Sequence, residues 1–430
     1  MKFKTAFLLT NIFAAAQLSA AVIGTNTPAQ PLTRERIATL PASQQPAWKK
    51  YLKQSGRQSQ ADRNFLRTEM KSHGLKEATN APSSRSVRGL SLDNDADWYG
   101  GVEARRIATI VLSFQTPAGG WSKNLDMTRH VRAPGELFTS DNNSRFASAS
   151  DYDLPHDTNW SYVGTIDNDA TTTQLRFLAK VAAAGKTNSA AFRASFLRGL
   201  DYLFAAQFPN GGWPQVWPLE GGYHDTITIN DNAMLNVLTL LHDVADGTNE
   251  FAFVPAKTRA KAGASFQRGL DCLLACQIVV DGRRTVWCQQ HDALTLQPAS
   301  ARNYEMPSQT SGESADIVLF LMQLPQPGSN VVAAVRAAVA WFDATKLNDI
   351  AFKSNGAEGR MLAPAPGTGP IWSRYYEIGT DRPIFGDRDK SIHDNVNEIS
   401  RERRQGYSWF NDNPKRVLEH FRSWSRDHPA

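Results

Sequence analysis

The chain has 430 residues, 41% of them hydrophobic and 10% aromatic, which suits a folded globule and excludes a disordered chain. Its net charge of +5 is modest and contains no block of like charges, which argues against nucleic acid as a partner while suiting an acidic ligand. The length is generous for one domain but accommodates a single helical barrel with an extension.

Residues 1–21 read as a secretory signal peptide. Lys2 and Lys4 give a basic start, an apolar core follows, and Ser19-Ala20-Ala21 forms a small-residue cleavage site. The apolar stretch is too short to span a bilayer, and no later segment reaches spanning length. A periplasmic or extracellular protein that does not enter a membrane is expected. Residues 22–95 are charged or Ser- and Asn-rich, with sparse apolar positions such as Trp48, Tyr51, Leu52 and Leu66. They read as a helical extension and linker without recognisable chemistry, ahead of a main domain over 96–430.

In the main domain a helical period recurs over 97–115, 170–184, 189–207, 232–245, 258–277, 313–324 and 331–345, with further helices over 397–404 and 414–425. Strands are few and short. Three helices end alike: Gln115 leads into TPAGGWSKN, Gln207 into FPNGGWPQVWP, and Gln277 into IVVDGRRTVWCQQ. Each has a Gly-containing turn and then a Trp-bearing polar strip. Helix pairs that return to one face predict an all-α fold, an (α/α) toroid or barrel with long loops gathered at one end. Trp121, Trp213, Trp217 and Trp287 suit either stacking on sugar faces or packing between helix pairs.

Two helix starts share a pattern, TIDNDAT at 165–171 and TINDNAM at 228–234. One Asx residue per helix start is ordinary capping, whereas three in succession exceed that need. Two such clusters at one mouth would offer hard oxygen donors, which suit Ca²⁺. Neither follows the EF-hand spacing, so such a site would be assembled from separate loops. The three cysteines, Cys272, Cys276 and Cys288, leave at least one thiol over and match no zinc pattern. Cys272 and Cys276 share one helix face and read as packed core, while a Cys276–Cys288 bridge stays open.

The loop over 285–311 holds Arg302, Tyr304 and Glu305 between Pro298 and Pro307. Loops of this length in a compact domain are uncommon unless functional. Arg302 either projects into a cleft or pairs with Glu305. Further on, Arg374, Arg382 and Arg388 recur among turn residues. Arginine offers a planar fork to carboxylates, but for Arg374 and Arg382 the expected role is fastening a loop to nearby acids.

Taken in order, GGWSKN, TIDNDAT, NDNAM, LQPASARNYEMPS, SGES, RYYEIGTDRPIFGDRD and EISRERRQGYSWF resemble the family 10 polysaccharide lyases, which are Ca²⁺-dependent pectate lyases. The resemblance spans roughly 97–409. It implies an (α/α) toroid and cleavage of polygalacturonate, or pectin, by anti-β-elimination to 4,5-unsaturated products. By motif, Asp167, Asn168 and Asp231 look like Ca²⁺ positions, with Asp167 also facing the substrate. Arg302, Tyr304 and Lys123 look like substrate-binding residues, and Arg388 looks like the catalytic base. Lys123, His224 and His291 are rivals for the base. Asp169 and Lys390 stand where small residues, most often Gly, are expected, and Asn232 where a second acid is common. A monomer is expected. Two other readings are an inverting glycoside hydrolase with Asp167 and Asp231 as its acid and base, and a non-catalytic pectin-binding protein.

Overall fold

The computed structural model describes residues 22–84, 87–140, 148–154, 157, 159–160, 162–185 and 189–429. The expected signal peptide lies outside them. Their helices are α1 (Arg34–Ala38), α2 (Gln45–Ser72), α3 (Ala96–Tyr99), α4 (Val102–Ser113), α5 (Thr172–Ala184), α6 (Ser189–Ala206), α7 (Ala233–Asp246), α8 (Ala256–Ala275), α9 (Gly312–Gln323), α10 (Ser329–Ala344), α11 (Arg401–Gly406) and α12 (Asn413–Asp427). The helix expected over 97–115 divides at Gly100 and Gly101 into α3 and α4. The described strands are two to five residues long and close no barrel, so the chain is helix-rich. No described helix is long and apolar enough to cross a membrane.

α5 packs on α6, α7 on α8, and α9 on α10, with α12 closing against α9 and α10. The first member of each pair is apolar on most sides. In α7, Met234, Leu235, Val237, Leu238, Leu240, Leu241 and Val244 are all buried, as befits a helix surrounded by protein. α8 instead buries one stripe, from Ala262 to Leu273.

The shared helix endings have one structural cause. The side-chain amide of Gln115 donates to Gly119 O (2.7 Å) in its own turn and to Ser195 O (2.9 Å) on α6. Gln207 does the same with Gly211 O (2.9 Å) and Ser265 O (2.9 Å) on α8. Gln277 repeats it with Thr285 O (3.0 Å) and Ala334 O (3.0 Å) on α10. In the first two, the serine hydroxyl answers by donating to the glutamine oxygen (2.8 and 2.7 Å). Ala334 has no hydroxyl, and Gln277 Oε1 is left buried without a partner. The sequence carries this repeat openly as SFLRGLDYLFAAQ at 195–207 and SFQRGLDCLLACQ at 265–277.

The tryptophans belong to the same device. Trp121, Trp213 and Trp287 are fully buried, and their indole N–H groups donate to Val111 O (2.7 Å), Leu203 O (2.8 Å) and Leu273 O (2.7 Å). Trp217 is buried as well. Of the two readings, burial favours packing for all four: Trp121, Trp213 and Trp287 fill the joints between helix pairs, and Trp217 packs on Tyr202 (5.7 Å between ring centroids). The three cysteines are buried and free, with no bridge between Cys276 and Cys288.

The extension packs on this frame. Trp48 and Tyr51 of α2 meet Phe208 at 5.4 and 5.1 Å between ring centroids, and Tyr51 Oη donates to Ala206 O (2.9 Å). Ahead of it, the strand Val22–Thr25 pairs antiparallel with Ser391–His393, which pairs in turn with Phe385–Gly386.

Two glycines of α8 test the joint. A Cβ at Gly269 would meet the Trp213 ring at 2.6 Å and Leu238 at 2.7 Å, whereas at Gly263 the nearest atom is 3.5 Å away. Gly269→Ala is expected to destabilise by about 1–3 kcal/mol through overpacking. Gly263→Ala is expected to stabilise by up to about 1 kcal/mol through helix propensity. Urea unfolding of both variants reads these opposite signs.

Candidate active site

Each tryptophan strip hands the chain to the start of the next helix. Thr165 N donates to Trp121 O (2.9 Å), Thr228 N to Trp213 O (3.1 Å), and Thr310 N to Trp287 O (2.8 Å). Two or three residues later come Asp167, Asp231 and Glu313. The turns Asp167–Asp169 and Asn230–Asn232 pack against each other, and α9 packs on the second. The two Asx clusters thus share one mouth.

Capping is not what their Asx residues do here, since neither α5 nor α7 has a side-chain cap hydrogen bond. Instead Asn168, Asp169, Asp231 and Asn232 hold φ between 49° and 60°, the left-handed region that Asn and Asp tolerate best. Thr171 is forced to φ 62° although β-branched, a strained state costing about 1–3 kcal/mol. It is held there by its hydroxyl, which accepts from Trp121 N (3.1 Å) and donates to Thr165 O (2.7 Å).

Asp167 is buried, and its Oδ2 takes the Lys123 ammonium at 2.6 Å. Burial alone would raise its carboxyl, but the charge and hydrogen bond of Lys123, with Arg302 further off, hold it below the usual range. Lys123 also lies 3.5 Å above the Tyr162 ring, so it is anchored on both sides. The other oxygen, Asp167 Oδ1, is buried and makes no hydrogen bond of normal length, while the Gln215 side chain is near enough to help hold the carboxyl low. Asn168 contacts Asn124 (3.5 Å). Asp231 opens to solvent, yet the cleft walls crowd it. Desolvation, then the charges of Asp167 and Glu313, raise its carboxyl, with Arg374 opposing.

Arg302 acts on Asp167 and Arg374 on Asp231 electrostatically, and Arg302 belongs to a cluster of arginines and tyrosines. Arg302 is not free: it grips Glu305 through Nε (2.9 Å) and Nη2 (2.6 Å). Arg388 grips Glu402 through Nε (3.0 Å) and Nη2 (3.2 Å), and Arg403 pairs with the same carboxylate. The guanidinium carbons of Arg302, Arg388 and Arg403 lie 5.2, 5.3 and 4.5 Å from the Tyr304 ring centre, sharing one aromatic ring. The two loops are in close contact. Asn303 Nδ2 donates to Arg388 O (2.8 Å), and a Cβ at Gly386 would fall 2.4 Å from Tyr304 O.

Arg374, expected only to fasten a loop, does more. It pairs with Glu313 (2.7 Å), lies over the Tyr407 ring (4.6 Å), and with Asp231, Glu313 and Asp316 lines a cavity of about 230 Å³. Glu313 and Tyr407 also belong to this site, and both sit in motifs quoted above, SGES and QGYSWF. Arg382 does keep to fastening, on Glu377 (3.1 Å) and Asp394 (3.4 Å). His291 is fully buried, its ring nitrogens engaged by Leu296 O (2.9 Å) and Cys288 N (3.1 Å), and burial lowers its pKa to about 4. His224 is buried against Tyr223 and Tyr162.

A family model for pectic acid lyases matches residues 115–418. The chain is a family 10 polysaccharide lyase. It is 34% identical to the family 10 polysaccharide lyase from Cellvibrio cellulosa, with a TM-score of 0.63 over 79% of this chain and 99% of that one. An Asp-to-Ala mutant of the Cellvibrio cellulosa family 10 enzyme, solved in complex with trigalacturonic acid, matches equally, at 34% identity and a TM-score of 0.63 over 78% and 99%. No curated protein sequence matches. The family match starts after the N-terminal extension of this lyase.

The donor set of the lyase fits a cation only as an open site. Among the described residues no three His, Cys, Asp or Glu side chains converge on one point. The buried Asp167 and the repelled Asp231 are two carboxylates that a hard cation would relieve, with its other donors left to substrate and water.

Glu305 gives a test on the acid side. Burial would raise it, but Arg302 and the Tyr407 hydroxyl hold it down to about 2. A depressed carboxyl contributes stability above its unfolded pKa and loses it as pH falls through the folded value. Between about pH 4.5 and pH 2, wild type is expected to lose stability that Glu305→Gln lacks throughout, read by thermal melts across that range.

Proposed function

We propose that this lyase cleaves polygalacturonate by anti-β-elimination on an (α/α) toroid, as an exported monomer that depends on Ca²⁺. What supports the reading is that Asp167 and Asp231 share one mouth, with Arg302 within electrostatic reach of the first and Arg374 of the second. A hydrolase needs two carboxyls and room for water. It has no use for four arginines, whereas a polyanion does.

The chemistry assigns each group a task. In galacturonate the C5 proton lies next to the C6 carboxylate, so removing it adds negative charge beside an anion. Arg302 and Arg374 hold positive charge where that anion builds up. Arg302 suits this because Glu305 and the surrounding tyrosines raise its proton affinity despite burial. Ca²⁺ held by Asp167, Asp231 and Asn168 would supply further positive charge against the carboxylate. Lys123 keeps Asp167 ionised and oriented. Arg388, having left Glu402 and given a proton to solvent, takes the C5 proton in its neutral form; the C4–O bond breaks, and the leaving oxygen collects a proton from water. The products are a shortened chain and a 4,5-unsaturated uronide.

One observation favours exchanging the two arginines. Arg302 lies within electrostatic reach of Asp167, which would put it beside a sugar bound there and leave Arg388 to hold a carboxylate, although its raised proton affinity opposes a base role. A free guanidinium has a pKa above about 12, so roughly one in 10⁵ is neutral at pH 7 and the rate should climb with pH. Lysine titrates about two units lower. Replacing the base by lysine therefore moves the alkaline limb of the pH–rate profile toward acid, while replacing a carboxylate binder raises KM and leaves the limb in place. Arg388→Lys and Arg302→Lys, compared in this way, assign the roles.

The deciding measurement is the rise in ultraviolet absorbance on incubation with polygalacturonate. Turnover is expected with Ca²⁺ and none in excess chelator, and Asp231→Ala should need more Ca²⁺ for half-maximal rate. Shortened products without new absorbance would mean hydrolysis, and binding without turnover a non-catalytic protein.

A further inference from the structure

We infer that Asn26, in the extension outside the family match, is a positioning residue for the two arginine loops of the active site; this rests on the functional reading above. Asn26 is buried, with 3% of its surface exposed. Its backbone N–H donates to Lys390 O (2.8 Å), two residues beyond Arg388. Its side-chain Nδ2 donates to Arg302 O (3.2 Å) and Asn303 O (3.0 Å). Its Oδ1 accepts from Ser300 Oγ (2.8 Å), and its carbonyl accepts from Tyr152 Oη (2.9 Å). One residue thus joins the two loops, its side chain holding the backbone of the Arg302 loop and its own backbone N–H holding that of the Arg388 loop.

The physical need for this brace is visible on both sides. Lys390 holds φ 78°, a left-handed state that a long side chain disfavours and that its surroundings must impose. The Arg302 loop runs through short strand pairings and a turn, with its carbonyls at 302 and 303 turned inward. Buried carbonyls without donors cost about 1–3 kcal/mol each, so a donor there fixes the loop as well as filling space. The strand Val22–Thr25, hydrogen-bonded to Ser391–His393, delivers Asn26 to this point. A segment that carries no chemistry of its own therefore sets the distance between the two guanidinium groups.

Asn26→Asp separates positioning from packing, because it keeps the shape and the acceptor for Ser300 while removing both donors. Asn26→Ala removes the side-chain half of the brace, its donors and its acceptor together, and leaves the backbone bond to Lys390 O. Ile37→Ala, a buried change in the same extension, serves as the matched destabilisation control. Well below the melting temperatures, Asn26→Asp and Asn26→Ala should lower kcat by roughly tenfold to a hundredfold with little change in KM, while Ile37→Ala retains wild-type kcat. Hydrogen–deuterium exchange should quicken in peptides covering 300–306 and 386–393 and stay unchanged in α7 and α8. Wild-type kcat and unchanged exchange in both Asn26 variants would overturn the inference. Wild type that yields no unsaturated product would instead remove the functional reading, and the exchange result would still decide whether Asn26 holds the loops.

Discussion

A buried glutamine amide, used three times, joins the helical frame together. Gln115, Gln207 and Gln277 each satisfy a carbonyl in their own turn and one on the second helix of the next pair. A primary amide suits this because it has two donors at fixed divergence, and a buried donor or acceptor left unmade is expensive. The tryptophan that follows locks the turn by its indole N–H, and its backbone sets the start of the next helix. Asp167, Asp231 and Glu313 reach one mouth because each follows, by two or three residues, a threonine whose N–H is tied to the tryptophan carbonyl of such a joint.

Bringing three acids together works against their own repulsion, and the structure offsets it locally. Lys123 lies on Asp167 and Arg374 on Glu313. Asp231 has no comparably close cation among its described ion pairs, and its carboxyl is the one pushed upward. The left-handed turns at 168–169 and 231–232 and the strained Thr171 add a conformational cost at the same place. Strain and unrelieved charge gathered at one cleft are the marks of a surface arranged for a ligand rather than for stability.

Much of this was readable from the chain, in a graded way. Helices with strong apolar periodicity lie within a few residues of their expected ends. The Asx triplets exceed what capping needs, and the reason is backbone conformation. The same geometry explains the departures at Asp169 and Lys390, where φ is 60° and 78° and glycine would be at ease. What periodicity could not supply was contact between distant segments. Arg374 meets Glu313 across 61 residues and Asn26 meets Arg302 across 276. An arginine among acids reads the same whether it fastens a loop or lines a cleft. The tryptophans stayed open between two readings for a related reason, because composition does not say which way an indole faces.

The single tyrosine shared by three arginines has a consequence for how the cleft opens to its ligand. Tyr304 supports the faces of Arg302, Arg388 and Arg403, while Glu305 and Glu402 occupy their hydrogen-bonding edges. On the function proposed above, the two glutamates would be placeholders for incoming carboxylates. A lone uronic acid would compete with a tethered rival at high local concentration and gain little. A polymer with a carboxylate on every sugar would displace both placeholders together, so the proposal implies a preference for long chains by multivalency alone.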